Sequence, residues 1–365
     1  MNIVFLCGSL EPGRDGVGDY TRRLAGELIR QGVACRAIAL NERALTRPEE
    51  EIQASEGNEL SMLRLPAALS WRERTRLAKA WTAGFEPDWV SLQFVPFAFQ
   101  KKGLPFGLSR VVDEIAGPAK RHVMFHELWV GCCESRSLKF RLWGEVQKRI
   151  IKAVARRATI IHTSNLLYQA MLKCNGLDAA LLPLFGSFPV SKEGNTWLFG
   201  ELNRLAIQAS NRSSYFIVGM VGSCYADFPL KKVLRLQAEE AGVQHKKLVV
   251  IGIGRSRALT IKQWCDLVQD AVPDAVVVHF GEQSSERISA FLGVLDLGLP
   301  TTQRQRMGKS SIAAAMYEHE VPIGVHYDQP IPGFPGPWDS SLPADGIFQT
   351  VGLAAAKLRA EFIAG

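Results

Sequence analysis

The pentad Met307-Gly308-Lys309-Ser310-Ser311 places a lysine and two hydroxyls where a polar loop gives way to a helical stretch. Backbone N–H groups and the helix dipole converge at such a start, which makes it a ready site for a diphosphate. It is not a P-loop, because Gln303 stands where that motif requires glycine. The plainer reading is a capped helix with a solvated lysine. His126 and Glu127 follow the apolar run Val123-Met124-Phe125, so both side chains would emerge at the carboxyl end of a strand. There they could touch substrate or move a proton, or simply lie on the surface. No HExxH or other metal-ligand spacing accompanies them. Gly13, Gly16 and Gly18 precede a stretch with Tyr20, Leu24, Leu28 and Ile29 on one helical face, and could cradle an anion. Their order is GxxGxG rather than GxGxxG. Glu42 sits where a nicotinamide-ribose carboxylate would, which leaves an NAD(P)-dependent oxidoreductase as a minor alternative. Glycines in a first βα turn are also commonly structural. Phe94, Phe97 and Phe99 either line an acceptor pocket or belong to the core.

These residues meet a ligand only if strands carry them to a common edge. Two distant stretches share one order of strand, glycine-rich loop and amphipathic helix. The first opens with Ile3-Val4-Phe5-Leu6-Cys7 and breaks at Gly8; the second opens at Tyr215 and breaks at Gly222. Continuous apolar strands alternating with helices predict parallel sheets covered on both faces. Strands are expected at 3–7, 34–40, 89–93, 123–125 and 159–162, then at 215–222, 248–251, 275–280, 294–299 and 321–325. The acidic stretch 49–60 reads as an exposed excursion, and the proline-rich stretch 329–343 as irregular. The expected architecture is α/β, with two doubly wound Rossmann-like domains facing a central cleft. Their bounds are 1–186 on the acceptor side and 215–345 for a nucleotide-binding half. Residues 187–214 form a hinge, and 346–365 a terminal helix that packs back on the first domain. Ligands in such folds sit at the carboxyl ends of the strands.

Composition narrows the class. A chain of 365 residues with 47% hydrophobic and 22% charged residues is ordinary for two globular domains. No run approaches the roughly 18 apolar residues of a membrane span, and the first residues lack the basic region of a signal peptide. Seven scattered cysteines without a CxxC pair disfavour structural zinc and disulfides and point to a reducing, cytoplasmic compartment. The net charge of +7 favours anionic partners. Seven basic residues lie between Lys139 and Arg157, with Trp143, Ile150 and Ile151 among them. That stretch is either a solvated helix face or a helix resting on the inner face of an anionic membrane as a peripheral protein would. Nucleic acid is not expected as a partner, since no recognition motif accompanies the charge.

Read together, the opening MNIVFLCGSLEPGRDGVGDYTRRLAGELIRQG, PDWVSLQF, FHELW, HTSN, LPLFGSFP, GMVGSCY, VVIGIG and HFGEQSSERISAFLGVLDLGLPT resemble the family 4 retaining glycosyltransferases of GT-B fold. The likeness spans nearly the whole chain. It implies a hexosyltransferase that takes a nucleoside-diphosphate sugar as donor and needs no metal or other cofactor. The acceptor would be a sugar, a lipid-linked sugar or a small molecule, in envelope polysaccharide or glycolipid assembly. By the resemblance, His126 with Glu127 lies near the transferred sugar, and Gly16 and Gly18 lie at the cleft. Gly222, Ser223, Gly254 and Glu282 would line the donor, with Lys231 or Lys232 on its diphosphate. One departure stands out: the family's paired glutamates fall near Met307 and Ala315, and neither is acidic. Gly308, Lys309, Ser310 and Ser311 would then take over part of donor binding. The alternative is a non-catalytic nucleotide-sugar-binding homologue.

Overall fold

Alternation along the strands decides how each sheet is covered. The computed structural model describes residues 1–132, 137–222, 224, 228–255, 259–302, 304–325 and 347–365. The expected irregular stretch 329–343 and the site residue Ser223 lie outside these. The chain divides into two compact units, one made of Met1–Phe185 with Gln349–Gly365 and one beginning at Gly186.

The first unit runs β1 (Asn2–Cys7), α1 (Gly16–Arg30), β2 (Ala34–Glu42), β3 (Glu49–Ser55), β4 (Asn58–Pro66), α2 (Trp71–Ala83) and β5 (Trp89–Phe94). It continues with α3 (Pro96–Phe99), α4 (Leu108–Ala116), β6 (Lys120–Phe125), α5 (Leu138–Ala155), β7 (Ile160–Thr163), α6 (Leu166–Lys173) and β8 (Ala180–Leu181). The sheet order is β3-β4-β2-β1-β5-β6-β7-β8, and all pairs but β3–β4 are parallel. Val4, Leu6, Leu92, Val123 and Phe125 pack on one face with residues of α4, α5 and α6. Order reverses between β1 and β5, and such switch points open crevices at the carboxyl edge. Here the loops close on each other: a Cβ on Gly8 would lie 2.6 Å from the Ala98 Cβ.

Two expectations for this unit need correction. The stretch 49–60 is not an excursion but most of a hairpin, because Glu56 and Gly57 both take positive φ (50° and 74°) and turn β3 back onto β4. Leu60, Met62, Leu63 and Leu65 of β4 are buried, while the acidic β3 forms the sheet edge. In α5, Ile150 and Ile151 face the core rather than solvent. Trp143 donates its indole N–H to the Lys102 carbonyl at 3.0 Å and stacks on Phe140. Leu138 and Leu142 are the exposed apolar residues of that helix.

The second unit comprises α7 (Asn195–Arg204), β9 (Tyr215–Val221), α8 (Leu230–Val243), β10 (Lys247–Ile253), α9 (Ile261–Ala271), β11 (Val276–His279), α10 (Ser285–Leu292), β12 (Leu297–Gly298) and α11 (Ser311–Glu318). Its sheet is parallel, in the order β11-β10-β9-β12. Ile217, Val249, Ile251 and Ile253 point to one face, against α7, α10 and α11. Phe216, Val218, Met220, Leu248 and Val250 point to the other, against α8 and α9. The pleat thus puts alternate apolar residues into two cores, which is why these strands read as unbroken apolar runs. Residues 187–214, expected as a hinge, contain α7, whose Leu198 and Leu202 are buried in the first of these cores. The expected strand 321–325 is reduced to a single bridge between Gly298 and Ile323.

The last helix, α12 (Val351–Ala364), belongs to the first unit and packs along α1. Phe362 stacks on Trp89 at 4.1 Å, and the Trp89 indole N–H donates to the Phe362 carbonyl at 3.1 Å. Among the described residues no helix is long and apolar enough to cross a membrane.

Candidate functional site

His126 leaves the end of β6 with its backbone N–H still in the ladder, donating to the Phe94 carbonyl at 3.1 Å. Its ring is buried against Tyr20, edge to face at 4.7 Å, and Tyr20 stacks on Phe185 at 4.5 Å. Burial pushes the imidazole down to about 3, so the ring is neutral at ordinary pH. Among the described residues the Tyr20 hydroxyl is buried without a hydrogen-bond partner, as are Ser164 Oγ and Asn165 Nδ2 just past β7. Buried polar atoms are nearly always paired, so each of these orphans is a group that a polar ligand would satisfy. Asn165 meanwhile caps α6 with its oxygen, accepting from Tyr168 N at 2.9 Å. Glu127 is half-buried. Phe94 and Phe99 are core, and of the three phenylalanines only Phe97 reaches solvent.

The glycine-rich loop is filled from within. Asp15 caps α1, accepting from Val17 N at 2.8 Å and Gly18 N at 3.3 Å, while Asp19 accepts from Gly13 N at 3.0 Å. Burial pushes the carboxyls of both aspartates above their ordinary values. Gly18 is a packing residue, since a Cβ there would lie 2.4 Å from the Ser9 carbonyl oxygen; Gly16 faces open space. Glu42 cannot serve a ribose. It is 1% exposed, and its carboxylate accepts from Leu10 N at 2.7 Å and Ser9 Oγ at 2.8 Å and pairs with Arg64 at 3.0 Å. The oxidoreductase alternative thereby loses its ribose carboxylate.

In the second unit the strand ends carry glycine. Gly222 and Gly254 take φ of 79° and 93°, and a Cβ on Gly254 would lie 3.2 Å from Gly222 N. Their own N–H groups are engaged, donating to Ile253 O at 2.8 Å and Gly281 O at 2.6 Å. These glycines keep the edge bare of side chains rather than offering donors. Arg255 follows and pairs with Glu282. Lys231 pairs with Asp270 on α9, whereas Lys232 is exposed with no ion pair among the described residues. The stretch Arg304–Lys309 is a short 3₁₀ segment, so Gly308 and Lys309 precede α11 rather than open it. Ser310 is the cap, its hydroxyl accepting from Ala313 N at 3.2 Å, and Ser311 begins the helix. Met307 and Ala315 are buried.

The structure brings Gly222, Gly254 and Glu282 to one edge of the second sheet and sets His126 and Glu127 at one edge of the first. Sequence reasoning missed Arg255, Tyr20 and the orphan pair Ser164 and Asn165. Arg255 could have been found as the first charged residue after an apolar strand; Tyr20 reads as one more core position of an amphipathic helix. Among the described residues no group of three or more His, Cys, Asp or Glu is placed to hold a metal ion.

No protein-family model and no curated protein sequence matches the chain. Solved structures do. Sucrose-phosphate synthase from Thermosynechococcus elongatus is 14% identical, with 98% of this chain and 89% of that one covered at a TM-score of 0.61. HepE from Anabaena in complex with UDP is 12% identical over 99% and 89%, at 0.55. The α,α-trehalose-6-phosphate synthase from Burkholderia multivorans is 11% identical over 98% and 90%, at 0.54. The likeness is one of fold: the chain has the GT-B fold of two Rossmann-like units.

Proposed function

We propose that the protein is a glycosyltransferase that takes a nucleoside-diphosphate sugar as donor. The observation that carries this reading is the bare, glycine-lined carboxyl edge of the second sheet, with Arg255 directly after Gly254. Doubly wound sheets receive nucleotides at that edge, and cations there would meet a diphosphate. The likeness to a structure solved with UDP supports it. In this reading the second unit takes the donor and the first the acceptor, with His126 directed to the transferred sugar. In a retaining route the bond between the sugar's anomeric carbon and the β-phosphate oxygen breaks as the acceptor oxygen bonds to that carbon. The acceptor's proton passes to the departing phosphate. The chain's part is to hold positive charge on the developing diphosphate, without a metal. We place the protein in envelope polysaccharide or glycolipid assembly, in contact with an anionic membrane surface.

A second reading is a protein that binds the donor without transferring it. It is favoured by Met307 and Ala315, buried and apolar where the resemblance expects glutamates. Calorimetric titration with UDP, ADP and GDP, followed by assay of nucleoside diphosphate released from the matching sugar donors, separates the two. Binding with release supports the enzyme. Binding without release supports the second reading, and absence of binding to any of them removes both.

A further inference from the structure

The buried polar side chains of the first unit form a single file. His126 Nε2 lies 2.9 Å from Gln93 Oε1, and Gln93 Nε2 donates to Ser91 Oγ at 2.7 Å. Ser91 Oγ lies 2.8 Å from His122 Nδ1, and His122 Nε2 lies 3.0 Å from His162 Nδ1. His162 Nε2 then faces Glu361 Oε2 of α12 at 2.7 Å, an ion-pair contact not aligned as a hydrogen bond. Ser91, Gln93, His122 and His162 are all buried, and each link from His126 to His162 is a hydrogen bond. Burial, reinforced by the two neighbouring histidines, holds His122 well below the ordinary histidine value, so it too is neutral.

With the His162 N–H facing the Glu361 carboxylate, polarity fixes each hydrogen in turn. The carbonyl end of Gln93 faces His126, so His126 Nε2 must donate. Ser91 accepts the Gln93 N–H and gives its own hydrogen to His122 Nδ1. His122 therefore carries its hydrogen on Nε2 and donates to His162 Nδ1, which leaves the His162 hydrogen on Nε2, facing the carboxylate. In the reverse order a His162 lone pair would face Glu361 and His122 would donate to Ser91, whose oxygen can accept twice, so nothing would hold the Gln93 carbonyl toward His126.

We propose that Glu361, acting through His162, His122, Ser91 and Gln93, is a positioning residue that fixes His126 as the Nε2–H tautomer. His126 Nδ1 is thereby kept as an acceptor at the carboxyl end of β6. Its use toward a sugar hydroxyl rests on the glycosyltransferase reading; the tautomer itself does not.

The test is long-range ¹H–¹⁵N NMR of the full-length, ¹⁵N-histidine-labelled protein without ligand, which tells a protonated ring nitrogen from a bare one. The wild type should show His126 with Nε2 protonated and Nδ1 bare, as one species. Glu361→Gln and Ser91→Ala should each replace that single pattern with an averaged one. Lys357→Ala is the control: it removes another α12 contact, to the Leu181 carbonyl at 2.6 Å, and should leave the pattern intact. A wild-type His126 protonated on Nδ1 or mixed overturns the proposal. So does a single Nε2–H pattern that survives both Glu361→Gln and Ser91→Ala, or one that Lys357→Ala disturbs equally. Because no substrate is present, failure here is distinct from failure of the transfer reaction.

Discussion

A neutral histidine packed on a tyrosine and held in a buried file is arranged for a hydrogen bond rather than for charge. If His126 meets the transferred sugar, His126→Ala should lower turnover far more than it weakens binding of the bare nucleotide. That split marks an interaction expressed in the transition state. Equal loss of both, measured by steady-state kinetics and calorimetry, would return the residue to a packing role. A second prediction at this scale concerns acid. The folded His126 titrates at about 3, below the ordinary value of about 6.5 for an exposed ring. Between those values the unfolded chain takes a proton that the folded chain refuses. Stability should therefore fall as pH drops below 6.5, by up to about 1.4 kcal/mol per unit for this ring. Denaturant midpoints from pH 7 to 4 should fall less steeply for His126→Gln than for the wild type, and parallel slopes would refute the assignment.

Among the elements, the β1–α1 turn gives a paired prediction. Gly18→Ala forces a Cβ against the Ser9 carbonyl and should cost about 1–3 kcal/mol, as overpacking does. Gly16→Ala meets open space and should stay within about 1 kcal/mol of wild type. Urea midpoints that rank the two the other way would show that the turn is not packed as described. The same turn shows what sequence can tell. Strand and helix alternation is written in apolar runs, so both doubly wound sheets were legible. The β3–β4 hairpin was not, because the acidic composition of β3 masks a two-residue turn at Glu56 and Gly57. α7 was hidden for the opposite reason: proline, glycine and serine around it read as hinge, while Leu198 and Leu202 commit it to a core. Strand-end residues such as His126 were readable, since the carboxyl end of a parallel strand is a position that order alone defines. The file behind it was not. Ser91, Gln93, His122 and His162 lie inside or at the rim of apolar strands, and only the register of β5, β6 and β7 lines them up.

For the molecule as a whole, the net charge and one helix bear on location. With Ile150, Ile151 and Trp143 engaged, any membrane contact by α5 must use Leu138 and Leu142 with Lys139 and Arg141 around them. Each basic residue near an anionic surface is worth roughly 1 kcal/mol. The protein should therefore co-sediment with anionic but not neutral vesicles at low salt. Binding should be lost as the Debye length shortens to about 3 Å at molar salt. Indifference to anionic vesicles at low salt would leave α5 a solvated face. Phe362 offers a stability prediction. Removing its ring from Trp89 by Phe362→Ala should cost about 3–5 kcal/mol, read from thermal or denaturant unfolding.

That last helix also sets an order of events during synthesis. The first unit needs Gln349–Gly365 to cover Trp89 and complete its helical layer, yet those residues are made after the whole second unit. At about 5–20 residues per second, the earlier-made half waits on the order of ten seconds or more with one face uncovered. The later-made half, whose own residues all precede 349, should mature first and invert the usual amino-to-carboxyl sequence of folding. Nascent chains stalled before residue 349 and pulsed with protease should show the second unit resistant and the first still cleavable. Equal resistance of both would mean that the amino-terminal half does not wait.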